Sequence, residues 1–357
     1  MTESGEQHHV DCAVIVVTYN SARYIDGLLT SLAADADLIL RVIVVDNGSA
    51  DDTVERARDH PDVICVETGA NLGYAGGINV GRRHAGPCGA LAVLNPDLVL
   101  EPGALREMYG ALDDPAVGLA VPMLLDFPGH LYPSLRRNPT LTRTIGDALF
   151  GQHFKRRPVI LSEIVRDVRE YHDRHPVDWA AGAAMLISAA CDRVVGAWDE
   201  RFFLYSEELD YATRARAAGF RVEYVPQARA RHRGAGSGQS HALIALKAIN
   251  RIRYFEKYGK ATSAMRAAVL LHELLRSASA SHRGALLAVS RPSTWEPLIS
   301  GLKAGDASGR RRSRRGRRRY AGTLVAIPAS GRRKPEGNAD SGGNREEDRS
   351  VHRRTRA

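Results

Sequence analysis

No apolar run in this chain is long enough to cross a bilayer. The longest uncharged apolar stretch, "WAAGAAMLISAAC", has 13 residues, against the roughly 20 that a membrane-spanning helix needs. The opening "MTESGEQHHVDC" is polar and lacks the apolar centre of a secretory signal. A cytosolic protein without a transmembrane helix is the expectation. Paired cysteines are missing as well: Cys12, Cys65, Cys88 and Cys191 share no metal or disulfide spacing, and three of them lie in or beside strand-like segments. There, reduced cysteine behaves as a small buried apolar residue, so neither a disulfide framework nor a zinc site is expected. No internal repeat is present. Neither the P-loop nor the dinucleotide-binding glycine spacing occurs.

What is present suits a globular enzyme-sized chain. With 357 residues, 44% of them apolar, it can bury one large core or two ordinary ones. The net charge of +9 is unevenly placed: residues 303–357 hold 17 Lys and Arg against 6 Asp and Glu, so this segment carries +11 and the rest of the chain −2. "GRRRSRRGRRRY" alone contains eight arginines, and the segment after it is too polar and Gly-rich to bury a core.

Between residues 10 and 125 four Val/Ile-rich runs, "CAVIVVTYN", "LRVIVVDNG", "DVICVETGAN" and "ALAVLNPD", alternate with helix-like segments. Ser49 followed by Asp52 resembles a helix N-cap. The alternation predicts an α/β fold with a mostly parallel sheet flanked by helices, whose ligands sit outside the carboxyl ends of the strands. Residues 126–176, richer in Pro, Arg and aromatics, read as a mobile connection. A second strand-like block, "VDWAAGAAMLISAA", follows, and two amphipathic helical segments extend from residue 240. The expected division is a flexible N-terminus 1–9, an α/β domain 10–239 with halves meeting near 125, a helical extension 240–302 and a disordered basic tail 303–357.

Polar residues collect at the strand ends. Thr18, Tyr19 and Asn20 close the first run, and Asp46 closes the second, where it either meets a nucleotide's base or ribose or merely orders the turn. "GANLGYAGGINVG" packs five glycines into thirteen residues, which suits close approach of a ligand or tight helix packing equally well. Asn95 and Asp97 flank Pro96 at the end of the fourth run, pointing the same way in extended geometry. Such oxygens suit Mg²⁺ or Mn²⁺, commonly held by one or two carboxylates plus substrate phosphates; an Asx turn is the alternative. In "SEELDY" three acids, Glu207, Glu208 and Asp210, either complement a helix dipole or, beside the apolar "FFLY", supply a general base. His232 follows a strand-like run and is either structural or a metal ligand.

Taken in order, "VIVVTYNSARYIDGLLTSL", "VIVVDNGSADDT", "GANLGYAGGINVG", "LNPDLVLEPGAL", "DWAAGAAMLI", "AWDERFFLYSEELDYATRARAAGF" and "HRGAGS" resemble the family 2 inverting glycosyltransferases of GT-A fold, over residues 10 to 260. "YPSLRRNPTLTRTIGDALFG" is similar to a stretch of the bacterial rhamnosyltransferase branch, which uses dTDP-rhamnose in cell-wall and polysaccharide assembly. The resemblance implies a Rossmann-like GT-A domain over 10–239 with a nucleotide-binding half and an acceptor half. It implies nucleotide-sugar contacts from Thr18, Tyr19, Asn20, Asp46, Asn47, Asn71, Gly73 and Asn95. It implies Mg²⁺ or Mn²⁺ on Asp97 and His232, an acceptor pocket lined by Trp179, Gly182 and Arg136, and Glu208 as base, with Glu207 and Asp210 as rivals. Glu207-Glu208 departs from the family's usual Glu-Asp. A lipid-linked or glycan acceptor is implied too, and the basic tail with the preceding helices suits an anionic membrane surface, each basic residue there adding about 1 kcal/mol. A solvated tail is the equal alternative, and specific nucleic-acid binding ranks last because few aromatics interleave the arginines. Other readings are a nucleotidyltransferase, disfavoured because "TYNSARY" lacks a basic Gly-rich loop, and a noncatalytic glycan- or partner-binding protein with a decayed site.

Overall fold

The computed structural model describes residues 10–33, 37–150, 158–234, 240–259 and 262–304, all within one compact unit. The expectations for residues 1–9 and for the tail beyond Ala304 lie outside the described residues. In chain order the elements are β1 (Cys12–Thr18), α1 (Ile25–Ala33), β2 (Leu40–Asp46), α2 (Thr53–Arg58), β3 (Val63–Glu67), α3 (Gly73–His84), β4 (Ala90–Leu94), β5 (Leu98–Leu100), α4 (Ala104–Gly110) and β6 (Val117–Leu125). Then come β7 (Leu135–Arg136), α5 (Leu141–Phe150), β8 (His175–Val177), β9 (Trp179–Ala180), β10 (Ala184–Ser188), α6 (Ala189–Val195), α7 (Glu207–Ala217) and β11 (Arg221–His232). Helices α8 (His241–Lys257), α9 (Thr262–Leu275), α10 (Ala280–Ser290) and α11 (Trp295–Lys303) complete the described chain.

The first four strands pair in parallel in the order β3-β2-β1-β4. β10 then enters antiparallel beside β4, followed by β6, β11 and β5, with β8 also on β11. β1 shows why its run is unbrokenly apolar. Ala13, Ile15 and Val17 join a core layer with Ala75 and Ile78 of α3 and Ala212 of α7, while Cys12, Val14 and Val16 face Leu28 and Leu29 of α1 and Leu105 of α4. Successive side chains point to opposite faces, so a strand covered by helices on both sides must be apolar throughout. The parallel strands end on one edge of the sheet, and that edge collects the polar residues.

Three expectations need correction. Ser49 is no helix cap: its hydroxyl bonds Asp46 Oδ1, and Asp52, at the N-cap of α2, makes no capping bond with its side chain. Residues 126–176 are not merely a connection, because Leu135, Val165 and Tyr171 are core residues there. Their periodicity is weak because they form a two-residue strand and short 3-10 turns instead of long regular elements. The final helical segment breaks around Ser277–Ser279 into α9 and α10. The four cysteines are free thiols.

The helical extension docks on the α/β domain through α8. Asn250, fully buried, donates from Nδ2 to the carbonyls of Phe202, Leu204 and Tyr205 at 2.5, 2.9 and 3.0 Å. These carbonyls belong to a loop in which Phe203, Tyr205 and Ser206 hold left-handed φ angles of 61°, 71° and 71°. Each is a conformation that L-residues adopt at a cost, so the amide clamp fixes a strained loop just ahead of α7.

Candidate active site

The edge formed by the ends of β1 and β2 is tied together by side chains. Asp46, 2% exposed, accepts the Thr18 hydroxyl at 2.9 Å and the Gly48 and Ser49 amides at 3.1 and 2.8 Å, besides the Ser49 hydroxyl. Its carboxylate therefore orders the turn. Asn47 Nδ2 donates to the Gly73 carbonyl at 2.8 Å, and Asn71 Oδ1 accepts from the Gly73 amide at 3.0 Å. Asn20 Oδ1 accepts from the Ala50 amide at 2.9 Å, while Tyr19 is 42% exposed beside it. Gly73 is forced by its surroundings. Its φ is +77°, and a Cβ there would stand 2.4 Å from Phe203. The strained loop ahead of α7 and the first turn of α3 are thus in contact, with the Tyr74 amide donating to the Phe203 carbonyl at 2.6 Å.

At the end of β4 the Asn95 amide donates to the Ala183 carbonyl at 2.8 Å, and the chain turns at Pro96. β11 runs antiparallel to β5 with His232 opposite Leu98. That register brings His232 Nε2 to 3.2 Å from Asp97 Oδ1, both side chains about nine-tenths buried. His232 Nδ1 is buried without a hydrogen-bond partner, and the ring packs edge-on to Tyr132. Among the described residues no third His, Cys, Asp or Glu joins the pair to complete a metal cluster. One carboxylate and one imidazole, with an orphaned ring nitrogen, fit a divalent cation whose remaining ligands come from substrate oxygens and water.

α7 begins in the same region, and its acids have different fates. Asp210 is fully buried and neutralised, by Arg214 at 2.9 Å, Lys257 at 2.5 Å and the Tyr258 hydroxyl at 2.9 Å. Glu207 and Glu208 each keep a buried Oε2 without a partner. Burial, and then the Glu208 charge, raise the Glu207 pKa well above its ordinary value. Burial also raises Glu208, against the opposing pull of Lys247, Arg136 and Arg251. A carboxylate without a committed partner and with a raised pKa has the properties of a general base. Gly182 lets Glu208 approach: a Cβ on it would lie 3.3 Å from Glu208 Cβ.

The sequence reading passed over Tyr74, Asn250, Lys247 and Arg251. Tyr74 sits between the two acid groups: its hydroxyl donates to the Gly182 carbonyl at 3.3 Å, and burial followed by the charges of Glu207, Glu208 and Asp97 raises its pKa far above the usual phenol value. Its signal was an aromatic inside the glycine-rich run. Lys247 and Arg251, spaced i and i+4 on one helix, were visible as a basic pair without an assigned purpose. Trp179, by contrast, is 6% exposed and its indole N–H donates to the Arg137 carbonyl at 3.0 Å.

The raised Glu207 pKa has a consequence for stability. A folded-state carboxyl raised above the ordinary 4.5 contributes stability below that pH, and this contribution is lost as pH rises through the folded value. Glu207→Gln removes the ionisation. Its melting temperature relative to wild type is expected to rise from about pH 5 to about pH 8, by roughly 2–4 °C for each kcal/mol relieved. A pH-independent difference between the two proteins would contradict the assignment.

A mostly parallel sheet with helices on both faces, a carboxylate–imidazole pair at its strand ends and a buried glutamate oxygen without a partner at the start of α7 have the layout of a GT-A glycosyltransferase. The family model described as Glycosyl transferase family 2 matches residues 13–160. The chain is 33% identical over 237 residues to the N-acetylglucosaminyl-diphospho-decaprenol L-rhamnosyltransferase of Mycobacterium tuberculosis, covering 63% of this chain and 76% of that protein. It is 25% identical over 229 residues to the rhamnosyltransferase WbbL of Escherichia coli, covering 61% and 82% respectively. The fold is also that of GalNAc-T7, solved with UDP, GalNAc and Mn²⁺, at a TM-score of 0.50 and 13% identity over 64% of this chain and 44% of that one. The chain belongs to glycosyl transferase family 2, in its rhamnosyltransferase branch.

Proposed function

We propose that the protein transfers rhamnose from dTDP-rhamnose, with inversion, to a lipid-linked acceptor of cell-envelope glycan synthesis, and that it depends on Mg²⁺ or Mn²⁺. The observation that carries this reading is the pairing of Asp97 with His232 at 3.2 Å, with Tyr74 within electrostatic reach of both Asp97 and Glu208. Thr18, Tyr19, Asn20, Asp46, Asn47, Asn71, Gly73 and Asn95 frame the donor nucleotide and sugar. Asp97 and His232 would hold the cation, which when bound offsets the charge of the departing nucleoside diphosphate. Glu208 takes the proton of the acceptor hydroxyl, and one displacement at the anomeric carbon inverts it without a covalent enzyme intermediate. Gly182 and Arg136 border the acceptor. The lipid-linked acceptor is supported by the printed name of the mycobacterial relative.

Among the described residues no helix is long and apolar enough to cross a membrane. A peripheral contact with an anionic membrane surface is supported by apolar side chains left exposed on neighbouring elements: Leu149 of α5, Val159 and Ile160, and Leu274 and Leu275 of α9. Amphipathic surfaces of this kind, with basic residues nearby, bind at the headgroup boundary.

The test is a panel of nucleotide sugars given to the full-length protein with membrane lipid extract as acceptor, in Mg²⁺ or Mn²⁺ and then in EDTA. Cation-dependent release of dTDP from dTDP-rhamnose, and from no other donor, together with an inverted anomeric centre in the product, is the expected result. Turnover of a different donor would overturn the sugar assignment, and undiminished turnover in EDTA would overturn the cation's role.

A further inference from the structure

The surroundings of Glu208 hold cationic donors that the protein leaves unused. Arg136 pairs in register with Trp179 across β7 and β9, three residues short of Gly182, which faces Glu208. On its other side Arg136 bridges to Ile164, and the next residue's amide donates to the Glu163 carbonyl at 2.8 Å. Glu163 in turn pairs with Arg251 of α8 at 2.7 Å. Lys247 lies one turn earlier on the same helix. The three cations and Glu208 lie within electrostatic reach of one another.

Glu163 is one acid that offsets these cations besides Glu208, and the Asp147 carboxylate accepts the Glu163 amide at 3.3 Å; Arg136 Nη1 donates to the Pro133 and Leu135 carbonyls at 2.7 and 3.0 Å. Arg251 spends Nη2 on Glu163, and its Nη1 is buried without a partner. Lys247 makes no hydrogen bond or ion pair among the described residues. It is open to solvent although crowded by protein, and that crowding, followed by the Arg251 and Arg136 charges, holds its pKa below the ordinary lysine value. A buried guanidinium nitrogen without a partner beside an uncommitted ammonium is unfavourable unless an anion joins them. Guanidinium forks and an ammonium are the donors that recognise phosphate.

We propose that Arg136, Lys247 and Arg251 form an anion subsite beside Glu208 that takes the diphosphate of the acceptor. The assignment rests on the reading of the acceptor as a lipid-linked sugar carried on a diphosphate, like that in the name of the mycobacterial relative, and adds the residues that hold the diphosphate. The subsite places the charged linker against α8 and the sugar hydroxyl toward Glu208, while the apolar side chains exposed on α5 and α9 lie on elements packed beside it. Held at the diphosphate, the acceptor enters in one orientation, and the entropy of positioning is met by charged contacts remote from the reacting bond.

The test uses full-length protein in EDTA, so that cation-dependent donor binding does not contribute, titrated calorimetrically with farnesyl diphosphate. Lys247→Met and Arg251→Met are each expected to weaken binding roughly 10- to 100-fold, the range for losing a charged hydrogen bond. In transfer assays the same variants are expected to raise KM for a sugar-diphosphate-prenyl acceptor at least about tenfold more than KM for the octyl glycoside of the same sugar. Equal losses on both acceptors, or unchanged farnesyl diphosphate binding, would overturn the subsite. If Arg251→Met does not fold, Lys247→Met decides, since it breaks no ion pair. Displacement of farnesyl diphosphate by phosphatidylglycerol vesicles as readily as by inorganic pyrophosphate would overturn the acceptor assignment in favour of a membrane headgroup. Loss of farnesyl diphosphate binding in the variants of a protein that transfers no rhamnose would sustain the subsite and reject the donor reading. Rhamnose transfer with unaltered diphosphate binding would do the reverse.

Discussion

Glu208→Gln is expected to lower sugar transfer by about 10²- to 10⁴-fold, the range general-base catalysis contributes, with donor binding retained. Glutamine keeps the volume and the hydrogen-bonding oxygen but cannot accept the acceptor's proton. The informative comparison is with the neighbouring acids. Glu207→Gln should cost far less, because Glu207 is 4% exposed and burial, with the Glu208 charge beside it, disfavours its ionised form. Asp210→Asn should act on stability instead: it strips a buried anion from Arg214 and Lys257, a loss of roughly 3 kcal/mol, while the folded fraction stays active. Release of dTDP with acceptor present, measured beside thermal unfolding for all three variants, separates these outcomes. Equal rate losses at Glu207 and Glu208, with unfolding unchanged, would remove Glu208 from its role.

Asp97→Asn is expected to abolish the dependence on divalent cation and to reduce transfer at least about 100-fold, since cation stabilisation of a leaving diphosphate is worth several kcal/mol. Removing one of two protein ligands leaves His232 alone to hold the ion. A second readout does not depend on turnover. Mn²⁺ with dTDP should raise the melting temperature of wild type, because a ligand that binds only the folded state stabilises it, and should have little effect on the variant. A full thermal shift in Asp97→Asn would show that the cation is held elsewhere.

Both predictions depend on groupings that differ in how visible they were. The four parallel strands could be read because each is an uninterrupted apolar run closed by polar residues, and burial on both sheet faces requires that pattern locally. The polar strand ends were equally open to reading, down to Asn95 and Asp97 around Pro96. Residues 126–176 were not, because two-residue strands and 3-10 turns leave no period to detect, although Leu135 and Tyr171 are as buried as any strand residue.

By itself the sequence determined an α/β sheet, the edge at which its chemistry collects, the family, and the separation of a basic tail from a nearly neutral body. Those properties reside in the composition and spacing of contiguous segments. Tertiary structure alone decided that Asp97 meets His232, because antiparallel pairing of β11 with β5 sets their register. It also gave the three candidate acids different surroundings, since α7 sets Asp210 against Arg214 and Lys257 and Glu208 beside Gly182. And it brought Arg136, Lys247 and Arg251 together from a short strand and a distant helix. Each of these depends on contacts between elements far apart in the chain, and no local pattern of residues encodes the distance between them.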